Sequence, residues 1–160
     1  MKIIAQKLVN LLAQHQLTVT TAESCTAGMV SSAIASVSGA SSVMDGAIVT
    51  YATAVKGRFL DIDPSILYEK GVVSPECVVA MAEGSAKLFH ADTAIAVTGY
   101  AGPGGGDPDN PVGTVYIAAS VLGNTVWRRL SLDGDRDIVR SSAAKEALAL
   151  LYAHILEIFG

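Results

Sequence analysis

Apolar residues recur along this chain with two different periods, and the switching between them predicts an α/β protein. Ile4, Leu8, Leu11 and Leu12 stand three or four apart, the spacing of an amphipathic first helix. The short β-branched stretch LTVTTA (17–22) predicts a strand, and the small-residue stretch AGMVSSAIASV (27–37) a helix packed close to a sheet. GASS (39–42) breaks that helix, and GAIVTYA (46–52) reads as a second strand. A short helix over 53–60 and a turn-helix from Asp63 to Gly71 come next. Ser74 and Pro75 then open another helix, as N-cap and first helical residue, which runs to about His90.

TAIAVT (93–98) is continuously apolar, as a central strand buried on both faces must be. The following GYAGPGGGDPDNPVG (99–113) holds six Gly and three Pro, and is incompatible with regular structure. TVYIAASVL (114–122) and TVWRRLSL (125–132) read as a hairpin turning at Gly123-Asn124, and GDRD (134–137) leads into a long helix ending near Phe159. Crossover-linked strands followed by a hairpin imply a three-layer α/β/α sandwich around a mixed, mostly parallel sheet of about five strands. Residues 1–160 are expected to form one domain.

Composition narrows the classes. With 51% hydrophobic and 16% charged residues the chain is not a disordered one. Its net charge is −4 and its 11 Lys and Arg form no cluster, which argues against a nucleic-acid partner. The longest basic run, Arg128-Arg129, splits to opposite faces of a strand. Two cysteines, Cys25 and Cys77, give no metal-ligand spacing and fit a reduced compartment. The N-terminus has no signal-peptide cleavage region, and no apolar run approaches the roughly 20 residues that span a bilayer. A cytoplasmic protein with no membrane partner, metal or cofactor is the expectation. The N-terminal helix and the sheet edge each offer a surface for a homo-oligomer.

Ligands of open α/β sheets bind beyond the carboxyl ends of strands. Three chemically rich segments fall there: Glu23-Ser24-Cys25-Thr26, Tyr51 to Lys56, and Thr98 to Gly106. Ser24 is read either as a helix N-cap or as a nucleophile favoured by the same helix terminus. Cys25 is the rival nucleophile, because a helix N-terminus also lowers a thiol pKa. His15, His90 and His154 fall late in helices, away from the strand ends, so the base for a serine would be a lysine. Lys56 is that candidate if shielded, and an ordinary surface lysine if not. The glycine loop lacks the P-loop pattern, but its peptide N–H groups are open to an anion. Arg136 is either a phosphate ligand or a surface ion pair with Asp133, Asp135 or Asp137.

Taken together in this order, TAESCTAG, GAIVTYATAVK, GVVS, AVTGYAGPGGG, PVGTVYIA and GDRD closely resemble the CinA C-terminal domain family over about residues 5–158. That family includes stand-alone nicotinamide-nucleotide amidohydrolases, and this chain is similar to the stand-alone form. The resemblance implies a three-layer α/β/α fold and the hydrolysis of nicotinamide mononucleotide to nicotinic acid mononucleotide and ammonia by a serine/lysine mechanism. It implies Ser24 as nucleophile, Lys56 as general base, Tyr51 and Thr98 as polar residues supporting the catalytic site, and a small-molecule nucleotide as partner. Glu23, Thr26, Gly99, Gly102, Gly104, Gly105 and Arg136 are the expected substrate-binding set, with the oxyanion held by N–H groups at the start of the helix after Ser24. Ala27 stands where the family often has a second Gly. The competing class is a nucleotide-binding module without catalysis, which would need the glycine loop but not Lys56.

Overall fold

The computed structural model describes residues 1–160. Its elements in chain order are α1 (Lys2–His15), β1 (Val19–Glu23), α2 (Met29–Ala35), β2 (Met44–Val49), α3 (Thr53–Leu60), α4 (Pro75–Phe89), β3 (Thr93–Gly99), β4 (Thr114–Val121), β5 (Asn124–Ser131) and α5 (Arg136–Phe159). A 3₁₀ turn at Ala40–Ser42 and a π turn at Ile66–Lys70 fill two of the connections. The five strands are ordered β2-β1-β3-β4-β5. β1 pairs in parallel with β2 and β3, whereas β3–β4 and β4–β5 are antiparallel. Four strands therefore share one direction and only β4 opposes them, while the pairings divide evenly. No helix is long and apolar enough to cross a membrane.

The sheet is covered on both faces, and residue size differs between them. Val19, Ile95, Val97, Val115, Ile117 and Val121 pack against Leu8 and Leu12 of α1, Val30 and Ile34 of α2, and Leu148, Leu151 and Ile155 of α5. Each large aliphatic group buried here contributes about 2 kcal/mol. The opposite face is built from Ala22, Ala94, Ala96 and Ala118, against Cys77, Val78, Met81 and Ala82 of α4. Those alanines let α4 lie close to the strands, where larger residues would hold it off. The continuous apolar run of β3 is explained by this double coverage, since residues 94–97 are all fully buried.

The helix start at Ser74 matches its expectation: the Ser74 hydroxyl accepts the Cys77 N–H at 3.1 Å, with Pro75 in the first turn. The hairpin turn lies one residue earlier than expected. Val121 pairs with Asn124, so Leu122 and Gly123 are the turn residues, both at positive φ (49° and 85°). Two left-handed residues match the twist of the flanking strands, and Asn124 is left free to begin β5.

β1 has β2 on one side and β3 on the other, reached over opposite faces of the sheet. This switch point opens a crevice beyond the ends of β1 and β3. Across the molecule, α3 ends directly over α4, where a Cβ on Gly84 would collide with the Leu60 carbonyl. Gly84→Ala is expected to cost about 2 kcal/mol by overpacking, outweighing the roughly 1 kcal/mol that alanine adds to a helix. A lower urea midpoint at unchanged slope would show it, and a raised midpoint would refute this account of the contact.

Candidate active site

Ser24 follows β1 directly, but it does not cap the next helix. α2 begins five residues later, with Gly28 as its N-cap residue. The intervening turn is pinned by the Ser24 N–H donating to the Val97 carbonyl at 3.0 Å and the Ala27 N–H donating to the Ser24 carbonyl at 3.0 Å. The helix start is filled instead by the side chain of Glu23. Its Oε2 accepts the Gly28 and Val30 N–H groups at 3.0 and 3.1 Å, and its Oε1 accepts the Ser31 N–H and the Thr21 hydroxyl at 2.9 and 3.2 Å. A carboxylate in this position satisfies orphan helix donors and complements the helix dipole.

The Glu23 carbonyl accepts the Thr50 N–H at 2.9 Å, which brings the exit of β2 alongside Ser24. α3 starts two residues after Tyr51 and carries Lys56 back into the crevice, where the side chain is only 1% exposed. Lys56 Nζ lies 3.1 Å from Ser24 Oγ, 2.6 Å from the Thr50 carbonyl and 3.2 Å from the Tyr51 carbonyl. No carboxylate pairs with it. Burial pushes its pKa below the ordinary 10.5, opposed more weakly by Cys77 and Cys25. A neutral amine has two N–H donors and one lone pair. Two carbonyls and one hydroxyl are a matching set: the carbonyls accept the N–H groups and the Ser24 hydroxyl donates to the lone pair.

Ser24 and Lys56 open into a cavity of about 240 Å³, whose lining also includes Cys25, Tyr51, Val72, Thr98 and Arg136. Gly99, Tyr100, Ala101, Gly102 and Gly104 form the wall supplied by the glycine loop. Two basic side chains and no carboxylate line the cavity of a chain whose net charge is −4. The N–H groups of Cys25, Thr26, Ala101, Gly102, Gly104, Gly105 and Gly106 donate to no acceptor on another residue. Positive φ at Gly102, Gly105 and Gly106 gives the loop its tight curvature. Arg136 spans the mouth, donating from Nη1 to the Gly102 carbonyl at 2.8 Å and from Nη2 to the Tyr51 hydroxyl at 2.9 Å. Thr98 donates to the Val72 carbonyl at 2.7 Å and so fixes the opposite wall.

Residues 1–155 match the CinA C-terminal domain family. The chain belongs to that family. Relatives include a CinA-like protein of Dictyoglomus turgidum, 38% identical over 97% of this chain and 38% of its own length, and one of Kosmotoga olearia, 43% identical over 88% and 34%. The chain thus spans little more than a third of the curated relatives it matches. Among solved structures it is similar to the competence damage-inducible protein A of Klebsiella pneumoniae, with a TM-score of 0.94 and 34% identity over 97% of this chain and 96% of that one. The competence/damage inducible protein of Agrobacterium tumefaciens gives 0.92 and 34%, over 95% and 93%.

Within this CinA domain, Ser24, Tyr51, Lys56, Thr98, Gly99, Gly102, Gly104 and Arg136 line one cavity. Three other expected residues do not. Glu23 and Thr26 are fully buried outside the cavity lining, Glu23 because its carboxylate is consumed by the start of α2. Gly105 lies against the Tyr100 ring instead of the cavity. The helix N–H groups expected to hold an oxyanion are the ones Glu23 occupies. Cys25 lines the cavity, but burial raises its thiol to about 11, overriding the lowering by its own backbone and by Arg140, Arg136 and Lys56. It is a neutral thiol at physiological pH, a poor nucleophile. Ala27 holds a φ of 44°, which explains the glycine common there in the family.

Two residues escaped the sequence reading. Arg140 donates from Nε to the Cys25 carbonyl at 2.8 Å and from Nη2 to the Thr26 carbonyl at 3.3 Å. Its signal was the spacing from Arg136, four residues apart on one helix face. Asn110 donates to the Val73 carbonyl at 3.3 Å and accepts the Tyr116 hydroxyl at 3.0 Å, bracing the cavity wall; nothing in its loop marked it.

The depressed Lys56 pKa has a consequence for stability. Between that pKa and 10.5 the unfolded chain holds a proton that the folded chain has released, so native stability rises with pH across this window. The stability difference between the native chain and Lys56→Met is expected to grow in favour of the native chain as pH approaches 10.5, measured by urea unfolding of both in parallel. A difference independent of pH would mean that Lys56 titrates normally.

Proposed function

We propose that this CinA domain is a serine/lysine amidohydrolase that converts nicotinamide mononucleotide and water to nicotinic acid mononucleotide and ammonia. The observation that carries the reading is the 3.1 Å contact between Ser24 Oγ and a buried Lys56 Nζ whose other contacts are carbonyls. Neutral Lys56 takes the Ser24 proton as Oγ attacks the carboxamide carbon. The unengaged N–H groups of Cys25 and Thr26 lie nearest in sequence to the attacking oxygen and are the donors assigned to the oxyanion, an effect of about 3 kcal/mol per donor. Lys56 returns the proton to the departing nitrogen, ammonia leaves, and Ser24 is left as an acyl ester. Water, deprotonated by Lys56, then attacks the ester; the acid is released and Ser24 regains its proton.

Tyr51 and Arg136 at the mouth, with the free N–H groups of Ala101, Gly102 and Gly104, suit the phosphate end of the substrate. Thr98 acts by holding the Val72 wall, and Glu23 and Thr26 by shaping the Ser24 turn. The chemistry draws only on these side chains and water.

Ammonia release from nicotinamide mononucleotide tests the reading. Ser24→Ala and Lys56→Ala are each expected to lower kcat at least about 10³-fold, and kcat/KM is expected to rise with pH up to a Lys56 pKa below 10.5. Nucleotide binding without turnover would place the domain among non-catalytic binding modules. Arg136→Ala is expected to raise KM for the phosphorylated substrate by about 10- to 100-fold, while leaving the dephosphorylated riboside nearly unaffected. An equal loss for both substrates would remove Arg136 from the phosphate site.

A further inference from the structure

We propose that Arg140 is the residue that positions the Ser24 turn for attack, acting through the peptide groups of Cys25 and Thr26; the inference rests on Ser24 being the nucleophile. The first two turns of α5, capped by Asp135, carry Arg136 and Arg140 four residues apart on one face. Arg136 reaches the mouth of the cavity and Arg140 reaches the back of the nucleophile turn. The division is physical: one helix end presents one cation to each end of the site.

The turn itself explains why such a residue is needed. Ser24 is fixed on its inner side by β3 through Val97, and the residues after it by the Glu23 carboxylate at the start of α2. Between these anchors the Cys25 carbonyl has one donor, Arg140 Nε at 2.8 Å. The Thr26 carbonyl takes Arg140 Nη2 at 3.3 Å as well as the Met29 N–H at 3.0 Å. A planar guanidinium that bridges consecutive carbonyls fixes the relative orientation of two peptide planes. The Cys25 carbonyl belongs to the same peptide unit as the Thr26 N–H, and in a trans peptide the two point in opposite directions. Holding the carbonyl toward α5 turns that N–H away from it, and keeps it from collapsing onto the helix. The only ionic partner of Arg140 is Asp137, at 3.8 Å from Nη1 and almost fully exposed, so the guanidinium keeps most of its positive field for the turn. Among the three cations felt by the Cys25 thiol, beside Ser24, Arg140 acts most strongly.

The test compares Arg140→Gln, Arg140→Lys and Arg140→Ala with the native chain on two readouts. One is kcat and KM for nicotinamide mononucleotide; the other is the rate at which a fluorophosphonate labels Ser24. Arg140→Gln and Arg140→Ala are expected to lose about 10²-fold in kcat and in labelling rate, with KM changed less than about threefold. Arg140→Lys should recover only part, because an ammonium cannot bridge both carbonyls. Added guanidinium ion, below denaturing concentration, should restore part of the Arg140→Ala rate. Native kcat and labelling in these variants would overturn the proposal. So would losses that track a lowered unfolding midpoint and that neither lysine nor guanidinium relieves. A native chain that labels at Ser24 but leaves the amide intact would refute the substrate reading and leave Arg140 to be judged on labelling. A native chain that does neither overturns both.

Discussion

The carboxylate of Glu23 is the constraint on which the site depends. It is fully buried at the end of a central strand, and it is tolerable there because four donors surround it. Three of those donors are the N–H groups of Gly28, Val30 and Ser31 at the start of α2, so the residue that ends β1 also dictates where the helix begins. Its backbone carbonyl then captures the Thr50 N–H, and the Thr50 carbonyl captures Lys56 Nζ. Ser24 thus meets Lys56 through a closed circuit of backbone and side-chain bonds that starts one residue upstream. The circuit also explains the five-residue delay before α2: a tighter entry would leave the carboxylate without its donors.

Charge balance within that circuit decides the protonation of Lys56. Buried ammonium groups ordinarily rest against a carboxylate, and Glu23, which adjoins Ser24, is already saturated by neutral donors. Two carbonyls can stabilise an ammonium in part, but they match the two N–H groups of a neutral amine equally well and add no opposite charge. Desolvation therefore prevails. The same absence of carboxylates leaves Arg136 unopposed in the cavity lining of an acidic protein, so an anionic ligand meets no repulsion once inside. One compositional choice, the exclusion of acidic side chains from the lining, suits both the base and the anionic ligand of the proposed reaction.

Much of this was legible beforehand, for identifiable reasons. The layers followed from period and length: β3 has six consecutive buried residues, 93–98, because helices cover both of its faces, and Ser74-Pro75 marks a helix start by chemistry alone. Ser24, Lys56 and Thr98 could be placed together because each belongs to the chain at or beyond the carboxyl end of one of three parallel strands. What could not be read was the direction of individual side chains within turns. Glu23 looked like a ligand of substrate, since nothing local shows that its carboxylate bends back to reach Ser31 eight positions later. Cys25 stood as a rival to Ser24 because a helix N-terminus would lower its pKa, and nothing local shows that Glu23 fills that terminus. Arg140 lies 115 residues from the carbonyl it binds, and that pairing exists only once α5 is laid against α2.

The glycine loop shows how composition misleads when read as mobility. Its polar second half, 107–113, is tied down: the Asp107 carboxylate accepts the Asp109 and Asn110 N–H groups at 2.9 and 2.8 Å, and the Asp107 N–H returns to the Asn110 carbonyl. Arg129 reaches over from β5 to the Asp109 carbonyl, and the Gly113 N–H closes the base of the loop on the Tyr100 carbonyl. The arc 101–106 keeps its donors free. Free donors on a floppy arc would be costly to order around a ligand, at roughly 1–2 kcal/mol for each residue fixed. Braced at Asn110, Gly113 and, through Gly102, Arg136, the arc presents its N–H groups already ordered, so the DPDN segment acts as scaffolding behind the cavity wall and not as a lid over it.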